Sequence, residues 1–159
     1  MKKATVTARP GEQNIVIERI FDAPRDKVFA AMTQKDKIEQ WWIGPGYEAH
    51  VERLDVRDGG SWKFVQVNKE GQEFSFHGVF HHVSPECIIQ TTEFDGLPES
   101  GHVGLEKMEL FDMGNGTTKL LSTGTFMSVA DRDGMVQSGM EEGMQQTYAR
   151  LDEVLQEMK

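Results

Sequence analysis

Three histidines, His77, His81 and His82, fall in one apparent strand and are the first place to look for a metal site or a general base. Their spacing argues against a shared ligand. His77 and His81 are four residues apart, about 13 Å along an extended chain, and His81 and His82 point to opposite faces. Neither arrangement matches the ligand spacings of known metal sites, so no metal is expected. Carboxylates offer a second chemistry. Glu93, Glu106 and Glu109 lie on predicted strands, where a side chain facing a closed pocket would serve as a general acid or base. The expectation for all three is the solvent side. Asp131-Arg132-Asp133-Gly134 has too few acidic positions for a calcium loop and reads as a cap and turn ahead of a helix. Gly44-Pro45-Gly46 and Asp58-Gly59-Gly60 lack the lysine-serine or lysine-threonine step of a phosphate loop, and no serine nucleophile elbow is present. No cofactor and no catalytic residue are therefore assigned.

What stands out instead is apolar and soft. Met135, Met140 and Met144 line the front half of the last helix, and Trp41, Trp42, Trp62, Phe64, Phe76 and Phe80 come from the elements opposite. Methionine packs irregular or changeable surfaces. With Met108 and Tyr148, such a set resembles the wall of a pocket for a flat or greasy small molecule. Trp41, Trp42, Trp62, Phe64, Phe76, Phe80, Met108, Met140, Met144 and Tyr148 are accordingly the candidate ligand-binding residues. A filled core is the competing reading of each.

The elements that would position these residues follow from periodicity. From Arg132 to Met158 the chain is proline-free, and Val136, Met140, Met144, Tyr148, Leu151, Val154, Leu155 and Met158 form one stripe at helical spacing. A single helix of about 40 Å is expected there. Gly139 and Gly143 sit at the edge of the stripe, either for close backbone approach or for room left open beside the helix. Residues 4–8 read as a short strand and Asn14–Phe21 as a longer one. Two short helices follow. The first starts at Asp22-Ala23-Pro24, and the second starts at a capping box, Thr33-Gln34-Lys35-Asp36, and closes at Gly44-Pro45-Gly46. Then the period switches to two, with strands over 48–57, 61–68, 73–84, 87–94, 102–113 and 117–126. Asp58-Gly59-Gly60, Asn68 to Gly71, Ser84-Pro85-Glu86 and Asn115-Gly116 are the turns between them. Connections this short make neighbours antiparallel. The class is α+β, with a curved sheet wrapped around one long helix.

Composition narrows the partners. The chain has 159 residues, 38% hydrophobic and 27% charged, which suits one globular domain over 1–159. The formal net charge of −9 argues against nucleic acid and anionic membrane surfaces. Cys87, alone of its kind, excludes an internal disulfide and reads as a buried inert thiol. No signal peptide follows Met1-Lys2-Lys3, and no run reaches membrane-spanning length, so a cytoplasmic protein is expected.

Several motifs carry a resemblance. Asp22-Ala23-Pro24-Arg25-Asp26-Lys27-Val28-Phe29, Trp41-Trp42 with Gly44-Pro45, and Leu54-Asp55-Val56-Arg57-Asp58-Gly59-Gly60-Ser61-Trp62 are three of them. Gly78-Val79-Phe80 with Ser84-Pro85-Glu86, and Gly139-Met140-Glu141-Glu142-Gly143-Met144 with Leu151, complete the set. Together they resemble the helix-grip fold of the START/polyketide-cyclase (SRPBCC) superfamily, in the branch of the activator of heat-shock protein 90 ATPase. The Asp55 to Trp62 hairpin is the most specific piece. The resemblance implies a cavity between the long helix and the sheet and no one activity. Its members bind apolar ligands, act as cyclases or serve as co-chaperones, and no catalytic residue transfers. The activator proper carries an additional N-terminal domain, for which no length stands before residue 14. The first expectation is a non-enzymatic protein binding a small apolar molecule. The alternatives are a co-chaperone meeting a chaperone through its acidic surface, and a cyclase-type enzyme whose polar group would come from Glu93, Glu106, His81 or Tyr148. A monomer or a homodimer fits either.

Overall fold

The computed structural model describes residues 3–42 and 46–159. Its elements run β1 (Thr5–Thr7), β2 (Asn14–Phe21), α1 (Arg25–Thr33), α2 (Lys35–Trp41), β3 (Glu48–Leu54), β4 (Ser61–Val67), β5 (Glu73–Ser84), β6 (Cys87–Phe94), β7 (Val103–Asp112), β8 (Thr118–Thr125), α3 (Val129–Gln137) and α4 (Met140–Glu157). The strands form one antiparallel sheet in the order β1-β2-β8-β7-β6-β5-β4-β3. Six strands make a meander through short turns, and β2 then pairs with β8, Asn14 opposite Thr125 and Phe21 opposite Thr118. Register shifts at Val51/Arg53 and Phe80/His82 bend the sheet. This is the α+β helix-grip arrangement expected from the pattern of elements.

The Asp55 to Trp62 hairpin is built from close approaches. Gly59 takes φ +83°, and a Cβ on Gly60 would stand 1.9 Å from the Asp55 carbonyl oxygen. Arg57 Nε donates to Asp55 Oδ2 at 2.8 Å. The turn is stitched to β5 by Gly59 N–H to the Phe80 carbonyl and Phe80 N–H to the Gly60 carbonyl, both 2.8 Å. Trp62 lies flush on Gly78, whose added Cβ would meet the Thr91 carbonyl oxygen at 1.8 Å and Trp62 Nε1 at 2.8 Å.

The main core sits at one end of the strands. Phe21, Val28, Ala31, Trp41, Leu110, Leu120, Leu151, Val154 and Leu155 are buried together. Each large side chain contributes about 1.5–3 kcal/mol by leaving water. A second cluster joins Trp62, Phe80 and Ile88 under β4 to β6.

Three local expectations are corrected. The last helix is two helices: α3 ends at Gln137 and α4 begins at Met140, with Gly139 between them at φ +84°. That left-handed conformation favours glycine and breaks the run, so α4, with 18 residues, is about 27 Å long. Nothing stands within 4 Å of a Cβ built on Gly139 or Gly143, so these glycines leave room and do not serve close approach. Asp131-Arg132-Asp133-Gly134 lies inside α3. The cap is Ser128, whose Oγ accepts the Asp131 N–H at 3.0 Å. The capping box at Thr33 does not form, because Thr33 Oγ1 donates back to the Phe29 carbonyl and Gln34 caps α2 without a side-chain bond. The expected Gly44-Pro45 close of α2 falls outside the described residues.

Candidate functional site

Eight strands about 4.8 Å apart span about 34 Å, and a helix covers about 10 Å of that. The remainder of the concave face needs other cover. At the Phe21/Leu110/Leu120 end, α1, α2 and the C-terminal half of α4 supply it. At the other end, where β2 and β7 begin and β6 and β8 finish, the sheet carries small side chains: Ser122 and Gly124 on β8, Gly104 on β7, Thr92 on β6. Above them α3 holds one buried side chain, Arg132, and the chain pivots at Gly139. The result is a cavity of about 890 Å³. Its floor is Ile15, Ile17, Ser122, Gly124, Gly104, Glu106, Thr92, Phe94 and Phe76, alternate residues that share one face. Ala130, Gly134, Met135, Ser138 and Met140 form its roof, with Phe126, Leu97, Pro98, Glu99 and His102 around the rim. A volume of this size suits a drug-sized ligand.

Helix α3 hangs over this space from few points. Arg132 donates from Nη1 to the Asn14 carbonyl (2.9 Å), from Nη2 to the Arg9 carbonyl (2.7 Å) and from Nε to Asp133 Oδ1 (3.0 Å). At the rim, His102 Nδ1 lies 3.0 Å from Asp131 Oδ2, linking the start of β7 to α3. That hydrogen bond and the Asp131 charge raise the His102 pKa from its usual 6.5.

A polar belt separates cavity from core. Arg19 on β2, its side chain 1% exposed, grips both oxygens of Asp152 on α4 at 2.6 Å each and lies over the Phe21 ring at 4.6 Å. Tyr148, edge-on to Phe21, has its phenol pKa pushed up by burial first and by the Glu106 charge second, with Arg19 opposing. Glu106 is the cavity's inward carboxyl. Its Oε1 accepts the Thr92 hydroxyl. Burial raises its pKa from the ordinary 4.5, and the Thr92 bond offsets part of that. The solvent-side expectation is thus corrected for Glu106, because β7 turns its even-numbered residues to the concave face. Glu93 meets His77 at 3.6 Å and the Gly101 N–H, and Glu109 pairs with Lys107 at 3.7 Å. His77 also reaches Asp95 at 2.7 Å, and His81 is exposed. Cys87 is half-buried, its thiol pKa raised by burial. No three His, Cys, Asp or Glu side chains among the described residues are grouped to hold a metal ion.

Of the residues singled out by type, Phe76, Met135 and Met140 line the cavity. Trp41 is buried and donates from its indole to the Ala31 carbonyl at 2.8 Å. Trp42 packs edge-on against Phe64 and Phe76 at 5.0 and 5.1 Å. Trp62 and Phe80 are buried in the second cluster, and Phe64 packs against it. Met108 touches both clusters, Tyr148 flanks the first, and Met144 is half-buried on α4. The wall residues missed were Ile15, Ile17, Phe94, Phe126 and, on α3, Ala130. Ser128-Val129-Ala130-Asp131, a serine followed three residues on by an acid, was the available signal for α3.

Residues 22–156 match the family model described as activator of Hsp90 ATPase homolog 1-like protein. The chain belongs to that family. Among solved structures, a protein from Rhodobacter sphaeroides superposes with a TM-score of 0.87 at 22% identity, covering 96% of this chain and 97% of that one. A solution structure from Arthrobacter aurescens gives 0.86 at 24%, covering 96% and 91%. A family member from Silicibacter pomeroyi, named for the same activator, gives 0.74 at 23%, covering 92% and 99%. At these identities the likeness establishes the helix-grip fold. No curated protein sequence matches the chain. In this member of the activator homolog family, no helix among the described residues is long and apolar enough to cross a membrane.

Proposed function

We propose that this chain is a single-domain, non-enzymatic binding protein that takes up one small, mostly apolar molecule between α3, the start of α4 and the sheet. The observation that supports it is the 890 Å³ cavity, whose floor and roof are chiefly Ile, Phe, Ala and Met side chains. Burial would supply most of the affinity, at ~25 cal/mol per Å² less the cost of immobilising the ligand. The methionines at 135 and 140 let the roof adapt to shape. Catalysis would need a second group relaying protons at the reacting atoms, and Glu106 hydrogen-bonds to Thr92 alone among the described residues. A co-chaperone role draws its support from the family and the net charge of −9, and retention on purified chaperone at low salt is its test.

The binding reading is tested with Nile red, a neutral apolar dye, together with native mass spectrometry of the freshly purified protein. The dye binds the wild-type chain, and a co-purified small molecule would appear as a defined added mass. Met140→Trp fills the roof and weakens dye binding by about tenfold or more, equivalent to about 1.4 kcal/mol. Met144→Trp, off the cavity wall, leaves it within about twofold, whatever it does to stability. Equal effects of the two substitutions, or no dye binding, would refute the assignment.

A further inference from the structure

The cavity is largely apolar with one carboxyl on its floor, and that group selects among apolar molecules. Glu106 stands on the floor with Thr92 donating to Oε1. Its Oε2 makes no hydrogen bond among the described residues and is not sealed by neighbouring atoms. It therefore opens on the cavity. Ser122 lies beside it on the neighbouring strand, two residues from the Gly124 that pairs with Glu106, and its hydroxyl also makes no hydrogen bond among the described residues. The charges facing this space have one dominant sign. Among the described residues Glu99, Glu106 and Asp131 line it, no lysine or arginine does, and the one basic side chain, His102, is already held by Asp131.

We propose that the ligand is an amphipathic molecule whose buried end carries a hydrogen-bond donor, an amine or a hydroxyl, received by Glu106 Oε2, and that carboxylate-ended molecules are rejected. This rests on the binding reading above and adds the polarity of the head. A donor completes the bonding of a carboxyl already committed to Thr92 on one side. An ammonium also neutralises it, forming a charge-assisted bond in a water-poor setting. A carboxylate would meet three acidic side chains without a free cation to offset them, and its desolvation would go uncompensated. Burial raises the pKa of Glu106, and an ammonium received at Oε2 would act in the opposite direction and favour the ionised carboxyl.

The test uses three molecules of one shape, 4-butylbenzylamine, 4-butylbenzyl alcohol and 4-butylbenzoate, each displacing Nile red at neutral pH. The amine and the alcohol bind about tenfold or more tighter than the benzoate. An amine that also exceeds the alcohol tenfold assigns a cation, and parity assigns a neutral donor. Glu106→Leu retains Nile red and brings amine and benzoate to within about threefold of each other. Glu106→Gln, which keeps the shape and removes the charge, serves if the leucine variant does not fold, as judged by circular dichroism. Benzoate binding as tightly as amine to the wild-type chain overturns the proposal, as does a head preference that survives in the folded variant. If Nile red binds but the three heads do not differ, only the head assignment falls. If Nile red does not bind, the pocket reading falls with it.

Discussion

Replacing Asp152 with alanine tests whether the polar belt holds α4 on the sheet. Arg19 is 1% exposed and donates to both oxygens of Asp152 at 2.6 Å, the Asp152 side chain itself being 37% exposed. Removing one partner of a buried ion pair costs about 3–5 kcal/mol, and Arg19 keeps other contacts, among them the Ile20 carbonyl 3.2 Å from Nη1. Water reaches the Asp152 side, so the lower end applies, about 3 kcal/mol. For a domain of this size each kcal/mol moves the midpoint by about 2–4 °C, so Tm falls by about 6–12 °C. Thermal unfolding by circular dichroism measures the shift, and urea titration with an unchanged slope checks that stability alone has altered. The double variant Arg19→Met with Asp152→Leu should recover most of the loss, because a packed apolar pair can replace a buried ion pair. A drop below about 1 kcal/mol, the size of an exposed surface pair, would refute the claim that this contact seats α4.

Two further outcomes follow from the geometry. Gly78→Ala places a Cβ 1.8 Å from the Thr91 carbonyl oxygen, so β5 and β6 must separate. The expected loss is about 3 kcal/mol, the upper part of the overpacking range, and an unchanged urea midpoint would dismiss the close approach. Glu106→Gln stabilises the fold at neutral pH. In the unfolded chain the carboxyl ionises near 4.5, whereas burial keeps it protonated to higher pH in the fold. Its contribution is therefore whole below 4.5 and is lost as pH rises through the folded value. The advantage of the glutamine variant should grow above pH 4.5 and then level off. A difference independent of pH would mean that the carboxyl titrates alike in the folded and the unfolded chain, so that burial does not shift it.

Local patterning was enough to place nearly every strand. Asn14–Phe21, Glu73–Ser84 and Cys87–Phe94 begin and end where alternation and turn residues put them, because antiparallel neighbours joined by short turns are specified within a few residues. The helical end was harder. Met135, Val136, Met140 and Met144 keep helical spacing across Ser138-Gly139, so periodicity could not register a break that one positive φ creates. The site was legible only in part, for a related reason. Residue type marks Trp62, Phe80 and Trp41 as apolar, yet apolar type is common to a core and to a cavity wall. What distinguishes the two is the absence of side chains at Gly104 and Gly124, together with the faces taken by Ile15, Ile17 and Glu106. Those depend on which strands meet and which face is concave, and β2 finds β8 only after the whole meander has formed.

Apart from Met140 on the roof and the Gly139 pivot, the residues that carry the family likeness and the residues that shape the cavity occupy different ends of the sheet. Asp55, Arg57, Gly59, Gly60, Trp62 and Gly78 build a tight corner with backbone approaches that exclude a Cβ at Gly60 and Gly78. Pro24, Val28 and Trp41 serve the main core and its helix starts. None of these lines the cavity. Its floor and rim use positions where many side chains fit: a Cβ on Gly104 or Gly124 would find the Phe126 ring at an ordinary 3.6 or 3.7 Å. Substitution there changes the volume offered to a ligand and leaves the fold intact, whereas substitution at the corner breaks the fold and leaves ligand choice untouched. The cavity can therefore change while the corner keeps the fold. For this chain the head group proposed for Glu106 is read from its own floor and not from its relatives.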